Sequence, residues 1–156
     1  MKQFNNETIN NRLFIFCDGG ARGNPGPAAI GFLIKDNKGR VLVEKGKYIG
    51  RATNNVAEYQ GVIHALKWLV KNHQSSIINH QPSTINFYLD SKLVVNQLNG
   101  FYKIKNSKLI ELVIQARGLE NQIKGKIVYC HIPREKNKEA DKLLNQALNK
   151  YFFSIS

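Results

Sequence analysis

An apolar run of five residues, Leu13 to Cys17, ends on the carboxylate of Asp18, and Gly19-Gly20-Ala21-Arg22-Gly23-Asn24-Pro25-Gly26-Pro27 follows at once. The run is too short and too sharply ended for a helix, so it predicts a strand buried on both faces. A carboxylate at the end of such a strand is costly unless something compensates it, and a metal ion is one common compensation. The glycines permit a turn and let a ligand approach the backbone closely. Strand end, carboxylate and turn are therefore expected to form one wall of an active site.

The rest of the chain reads as elements that could build the other walls. Ala28 to Ile34 and Val41 to Ile49 read as strands joined by the hairpin chemistry of Asp36-Asn37-Lys38-Gly39, hence as antiparallel neighbours. Helical spacing of Tyr59, Val62, Ile63, Leu66, Leu69 and Val70 predicts a helix over 55–72. Residues 72–83 have no usable period and read as a loop. Thr84 to Leu89 is a strand ended by Asp90, with a helical run to Leu98 and a basic aromatic connector over 101–106. A helix is expected over 107–122, a fifth strand over 126–131, and a last helix capped by Asn137 that carries Ala140, Leu144, Ala147, Leu148 and Tyr151. The order β-β-β-α-β-α-α-β-α implies an α/β fold with a mixed five-stranded sheet and helices packed on it. Ligands of such sheets gather at the carboxyl ends of parallel strands, where Asp18 and Asp90 stand.

At 156 residues the chain is expected to form one domain over 13–150, with a flexible tail over 1–12 and another over 151–156. No apolar run approaches the roughly 20 residues needed to span a bilayer, and the polar N-terminus lacks the apolar core of a secretory signal. Cys17 and Cys130 sit in strand-like runs without metal-ligand spacing, which suits small core residues in a reducing cytoplasm. A net charge of +12, from 23 basic against 11 acidic residues, points to a polyanionic partner such as nucleic acid. A merely well-solvated lysine-rich surface is the competing explanation of that charge.

Four of the few acids occupy odd positions. Asp18 and Asp90 end buried strands, and Glu58 lies in the first turns of its helix on a face made small by Gly61 and Ala65. Asp141 falls on the apolar stripe of the last helix with Leu144 and Leu148. Singly, Asp18 also suits a strand-ending turn, Glu58 a helix N-terminus and Asp90 the start of a helix. Asp141 has the weakest such alternative. Jointly, four inward carboxylates need positive charge between them, and oxygen-only ligands favour Mg2+ or Mn2+ over zinc. Two such ions roughly 4 Å apart activate a water and stabilise the leaving oxygen of a phosphodiester.

Four blocks, Asp18-Gly19-Gly20 with Gly23 to Pro27, Thr53-Asn54-Asn55-Val56-Ala57-Glu58, Leu89-Asp90-Ser91 and Asn137-Lys138-Glu139-Ala140-Asp141, resemble type 1 ribonuclease H in order and spacing. The resemblance covers roughly residues 13–148. It implies the ribonuclease H-like fold and a Mg2+-dependent endonuclease that cuts the RNA strand of RNA·DNA hybrids, leaving 5′-phosphate and 3′-hydroxyl ends. By resemblance Asp18, Glu58, Asp90 and Asp141 bind two metal ions, Asp18 bridging them, and Glu58 also contacts a ribose 2′-hydroxyl, the group that distinguishes RNA from DNA. Gly19 lets the backbone reach the RNA strand, Asn24 and Asn55 match minor-groove side chains, and Thr53 matches the threonine that grips a DNA phosphate.

The chain also departs from that pattern. The tryptophan-rich basic protrusion of many relatives is replaced by Phe101-Tyr102-Lys103-Ile104-Lys105-Asn106, so hybrid grip is expected either to be weaker or to rest on Lys103, Lys105 and Lys108. No separate hybrid-binding domain is expected before Leu13. The glycine- and histidine-containing loop of many relatives is here His131-Ile132-Pro133-Arg134-Glu135, leaving the auxiliary catalytic role open between His131 and Arg134, or to neither. His64, His73 and His80 read as helix-surface and loop residues. A monomer with no obligate protein partner and no membrane association is expected. The alternatives are a nuclease of the same fold acting on double-stranded RNA or DNA junctions, and a non-catalytic nucleic-acid-binding module.

Overall fold

A computed structural model describes residues 12–72 and 84–155. Five strands, β1 (Arg12–Ala21), β2 (Gly26–Lys35), β3 (Val41–Ala52), β4 (Thr84–Leu89) and β5 (Lys126–His131), form one sheet in the order β3-β2-β1-β4-β5. β1 to β3 are an antiparallel meander, whereas β1, β4 and β5 run parallel. Four helices, α1 (Asn54–Asn72), α2 (Lys92–Leu98), α3 (Ser107–Glu120) and α4 (Lys138–Ile155), complete the expected order, with a short 3-10 turn at Arg134–Lys136.

The hairpin between β2 and β3 forms as its composition requires. The Asp36 carboxylate accepts from the Lys38 and Arg40 amides, and Gly39 takes the left-handed φ of +79° that closes the turn. Ser91 caps α2 by accepting from the Val94 amide, and Asn106 caps α3 by accepting from Leu109. Of the segment expected as a loop over 72–83, Asn72 ends α1, and the rest of it and most of the expected N-terminal tail lie outside the described residues. The expected tail from 151 instead forms the last turn of α4.

One face of the sheet carries the main core. Ile15, Cys17, Ile30, Phe32, Ile85, Phe87 and Leu89 pack against Tyr59, Val62, Ile63 and Leu66 of α1 and against α2 and α3. Each large side chain so buried contributes about 1.5–3 kcal/mol. The opposite face belongs to α4, which packs over β2, β3 and β1. β1 is therefore not buried on both faces as its composition suggests. Phe14 and Phe16 are half-buried and stack on Tyr88, with ring centroids 6.4 and 5.1 Å apart.

The seat of α4 decides where the site forms. Gly31 of β2 pairs with Asp18 on one side and Gly46 of β3 on the other. A Cβ on Gly31 would lie 2.2 Å from the Ala140 carbonyl oxygen, and one on Gly46 would lie 2.3 Å from that of Leu143. Without those side chains the first turns of α4 settle directly on the sheet, alongside Asp18.

Candidate active site

Asp18 and Asp90 each stand two residues beyond the Phe16–Tyr88 pair of the parallel β1–β4 ladder. Neighbouring strands lie about 4.8 Å apart, so the two carboxylates end adjacent strands side by side. Glu58 projects from α1, whose Gly61 packs against the Asp18 backbone. Oxygens of Asp18, Glu58 and Asp90 all lie within 4.8 Å of one another. Asp18 and Glu58 are only 6% and 9% exposed.

Asp141 stands outside that trio but within electrostatic reach of it. Its charge adds to the upward push on Asp18, while Asn145 donates to its Oδ1 at 3.1 Å. Asn145 in turn accepts from Arg22 of the glycine-rich loop at 3.4 Å, and Arg22 also donates to Asn149 at 2.7 Å. The fourth carboxylate is thus held by a polar chain that runs from the loop after β1.

The electrostatic cost of this gathering is visible in its proton affinities. Burial first, then the Asp90 charge, pushes the Asp18 carboxyl up to about 7, against hydrogen bonds from Glu58 and the Gly19 amide that pull it down. Burial and the charges of Asp18 and Asp90 raise Glu58 well above the ordinary carboxylate range, and the nearby Arg134 guanidinium pulls it back. Glu58 Oε2 is buried and has no hydrogen-bond partner. A buried carboxylate oxygen without a donor, in a cluster of like charges and oxygen-only ligands, fits an unshielded hard divalent cation.

The other expected site residues are placed as follows. Thr53 Oγ1 accepts from the Val56 amide at 3.2 Å and so caps α1. Asn24 Oδ1 accepts from the Asn54 amide at 3.0 Å, and Asn54 Oδ1 accepts from the Ala21 amide at 2.9 Å, which pins the glycine-rich loop to the start of α1. Asn55 is exposed beside them. Gly19 is buried, its amide donates to Asp18 Oδ1 at 2.9 Å, and a Cβ there would meet the Ala57 carbonyl oxygen at 2.0 Å. Close packing of α1 on β1 is therefore what requires glycine at this position. Lys103 and Lys105 are exposed on the connector. His131 is exposed at the end of β5, opposite Leu89, and Arg134 is exposed in the 3-10 turn.

Two features escaped the sequence. Asn137, expected as a helix cap, instead sends its side-chain amide to the Cys17 carbonyl at 2.8 Å and to Asp90 Oδ2 at 3.3 Å. Only the pairing of β1 with β4 under the start of α4 brings these groups together. A groove of about 480 Å³ is lined by Lys47, Arg51, Gln60, His64 and Lys108, with Ala52 and Val56 flanking Thr53. His64, expected at the helix surface, is half-buried there. Burial and the charges of Lys47, Lys67 and Lys45 lower its pKa. A clustering of Lys and Arg near the Thr53 block was the available signal.

Residues 16–147 match a family model described as reverse transcriptase-like. The chain superposes on the N-terminal RNase H domain of a Mycobacterium tuberculosis protein with a TM-score of 0.81 at 40% identity, covering 93% of this chain and 99% of that one. The chain belongs to the ribonuclease H family. The full mycobacterial relative is a bifunctional protein, 41% identical over 139 residues, of which the chain spans 36%. Ribonuclease HI of Halobacterium salinarum is 36% identical over 138 residues, 88% of this chain and 65% of that protein. LC11-RNase H1, crystallised in complex with an RNA/DNA hybrid, is 41% identical with a TM-score of 0.81 over 90% of this chain and 99% of that one. Each of these likenesses covers 88% or more of this chain.

No helix among the described residues is long and apolar enough to cross a membrane. Both cysteines are free, Cys17 buried and Cys130 half-buried. Burial, with Glu58 and Asp18 beside it, raises the Cys17 thiol well above its ordinary range, which makes it an inert core residue.

Proposed function

We propose that this protein cuts the RNA strand of RNA·DNA hybrids internally, with 5′-phosphate and 3′-hydroxyl products. The observation that carries this reading is the meeting of Asp18, Glu58 and Asp90 within 4.8 Å, with Glu58 Oε2 buried and unpartnered. Asp18, Glu58 and Asp90 would hold two divalent ions, Mg2+ or Mn2+, with Asp141 completing the set. Such ions supply positive charge to a phosphodiester and lower the pKa of a water.

The remaining steps fall to the chain itself. Glu58 accepts from the ribose 2′-hydroxyl beside the cut, so a DNA strand offers it nothing to bind. Asn24 and Asn55 face the minor groove from the pinned loop and the start of α1, and Gly19 keeps the backbone low beneath the RNA strand. Thr53 and the groove lined by Lys47, Arg51 and Lys108 take phosphates of the DNA strand, supplemented by Lys103 and Lys105. Arg134, whose charge already reaches Glu58, is favoured over His131 for the auxiliary role at the phosphate. The protein acts as a monomer in a reducing cytoplasm, a setting its two free cysteines suit.

The test is one cleavage panel with Mg2+ on labelled hybrid, double-stranded RNA and double-stranded DNA. Internal cuts confined to the RNA of the hybrid are expected, and Asp18→Asn should abolish them while hybrid binding survives. Equal cutting of hybrid and double-stranded DNA would overturn the specificity.

A further inference from the structure

Asn137 is 1% exposed, less than any of the carboxylates, yet it is a polar residue in a turn between β5 and α4. Nearly every polar group it has is committed to an element of the site. Its amide donates to the Arg134 carbonyl at 2.9 Å, and its carbonyl accepts from the Asp141 amide at 3.2 Å. Its side-chain Nδ2 donates at 2.8 Å to the carbonyl of Cys17, the residue before Asp18, and at 3.3 Å to Asp90 Oδ2. Its Oδ1 alone is buried without a partner.

We infer that Asn137 is a positioning residue that fixes the Asp90 carboxylate in its ligating orientation by tying it to the strand that carries Asp18. This inference rests on the proposed metal-dependent activity. Asp90 follows the last residue of β4 and is half-buried, so its side chain has freedom to turn toward solvent. No other hydrogen bond to its carboxylate is found among the described residues. A neutral amide suits the task, because it directs the carboxylate without cancelling the negative potential that attracts a cation. A lysine or arginine there would compete with that cation. Loss of a hydrogen-bonding partner to a ligating carboxylate typically weakens metal affinity about 10- to 100-fold.

The experiment compares the full chain with its Asn137→Ala variant by calorimetric titration with Mg2+ in the absence of nucleic acid. Binding about tenfold weaker is expected. The Mg2+ concentration for half-maximal hybrid cleavage should rise by the same factor, and the rate at saturating Mg2+ should largely recover. Leu148→Ala, which opens the core under α4 away from the carboxylates, serves as the destabilised control and should keep the parent's affinity. In an Asp90→Asn background, adding Asn137→Ala should change affinity no further, because the residue acts through Asp90. Should Asn137→Ala fail to show a cooperative melt, Asn137→Ser, which keeps a short donor, takes its place. Unchanged Mg2+ affinity in the folded variant, or an equal loss on the Asp90→Asn background, overturns the inference. If the parent binds Mg2+ and the folded Asn137 variant binds it equally well, the functional reading stands and this inference falls. If the parent binds no divalent ion, the functional reading falls first.

Discussion

Gly61 of α1 lies so close to Asp18 of β1 that a methyl group there would come within 2.8 Å of the Asp18 carbonyl oxygen. That contact sets the height of α1 above the sheet and hence the reach of Glu58, one helical turn earlier, to the Asp18 carboxylate. Gly61→Ala gains helix propensity of about 1 kcal/mol but forces backbone apart from backbone. A net loss of up to about 2 kcal/mol in a urea melt is expected, together with weakened hybrid cleavage. A stabilised, fully active variant would show that the contact has slack.

Proton affinity predicts an inverted pH dependence for the metal-free protein. The folded-state pKa of Asp18, about 7, lies above its ordinary 3.8, so the native state binds this proton more tightly than the unfolded chain. The associated stability is fully present below about pH 4 and is lost as pH rises through about 7. In chelator, Tm should fall between pH 5 and 8. Asp18→Asn should flatten part of that fall, Glu58 being raised as well, and stabilise the metal-free protein at pH 8 by on the order of 2 kcal/mol. A Tm unchanged across this window would contradict the proposed charge crowding.

Asn145 offers a way to probe the fourth carboxylate. It donates to both the carboxylate and the carbonyl of Asp141 and is itself approached by Arg22. Asn145→Ala should leave thermal stability nearly unchanged and lower hybrid cleavage about tenfold. Cleavage at the parent rate would mean that Asp141 needs no such support.

Grip on the hybrid should be divided between two surfaces. Each phosphate contact removed reduces the slope of log affinity against log salt by about one unit. Binding assays on the Lys103→Ala/Lys105→Ala and Lys47→Ala/Lys108→Ala pairs, across a salt series, should each show a shallower slope. If only the second pair changes it, the groove rather than the connector holds the DNA strand.

Much of this protein was legible in its residues taken in order. The alternation of period along the chain marked the five strands and four helices found among the described residues, because local hydrophobic spacing reflects which face each element buries. The four carboxylates stood out because acids at strand ends and on an apolar helix stripe have few bland explanations. Contacts across the sheet were not legible. That Asn137 reaches Cys17 and Asp90, that Gly31 and Gly46 seat α4, and that His64 lines a basic groove depend on segments brought together by strand order. Asp141 shows the division well: its place on an apolar helix stripe was legible in the sequence, whereas its hydrogen bond from Asn145, itself approached by Arg22, was not. Periodicity is a property of neighbours along the chain, whereas a metal-ready cluster is a property of neighbours in space, and only the packed sheet supplies those.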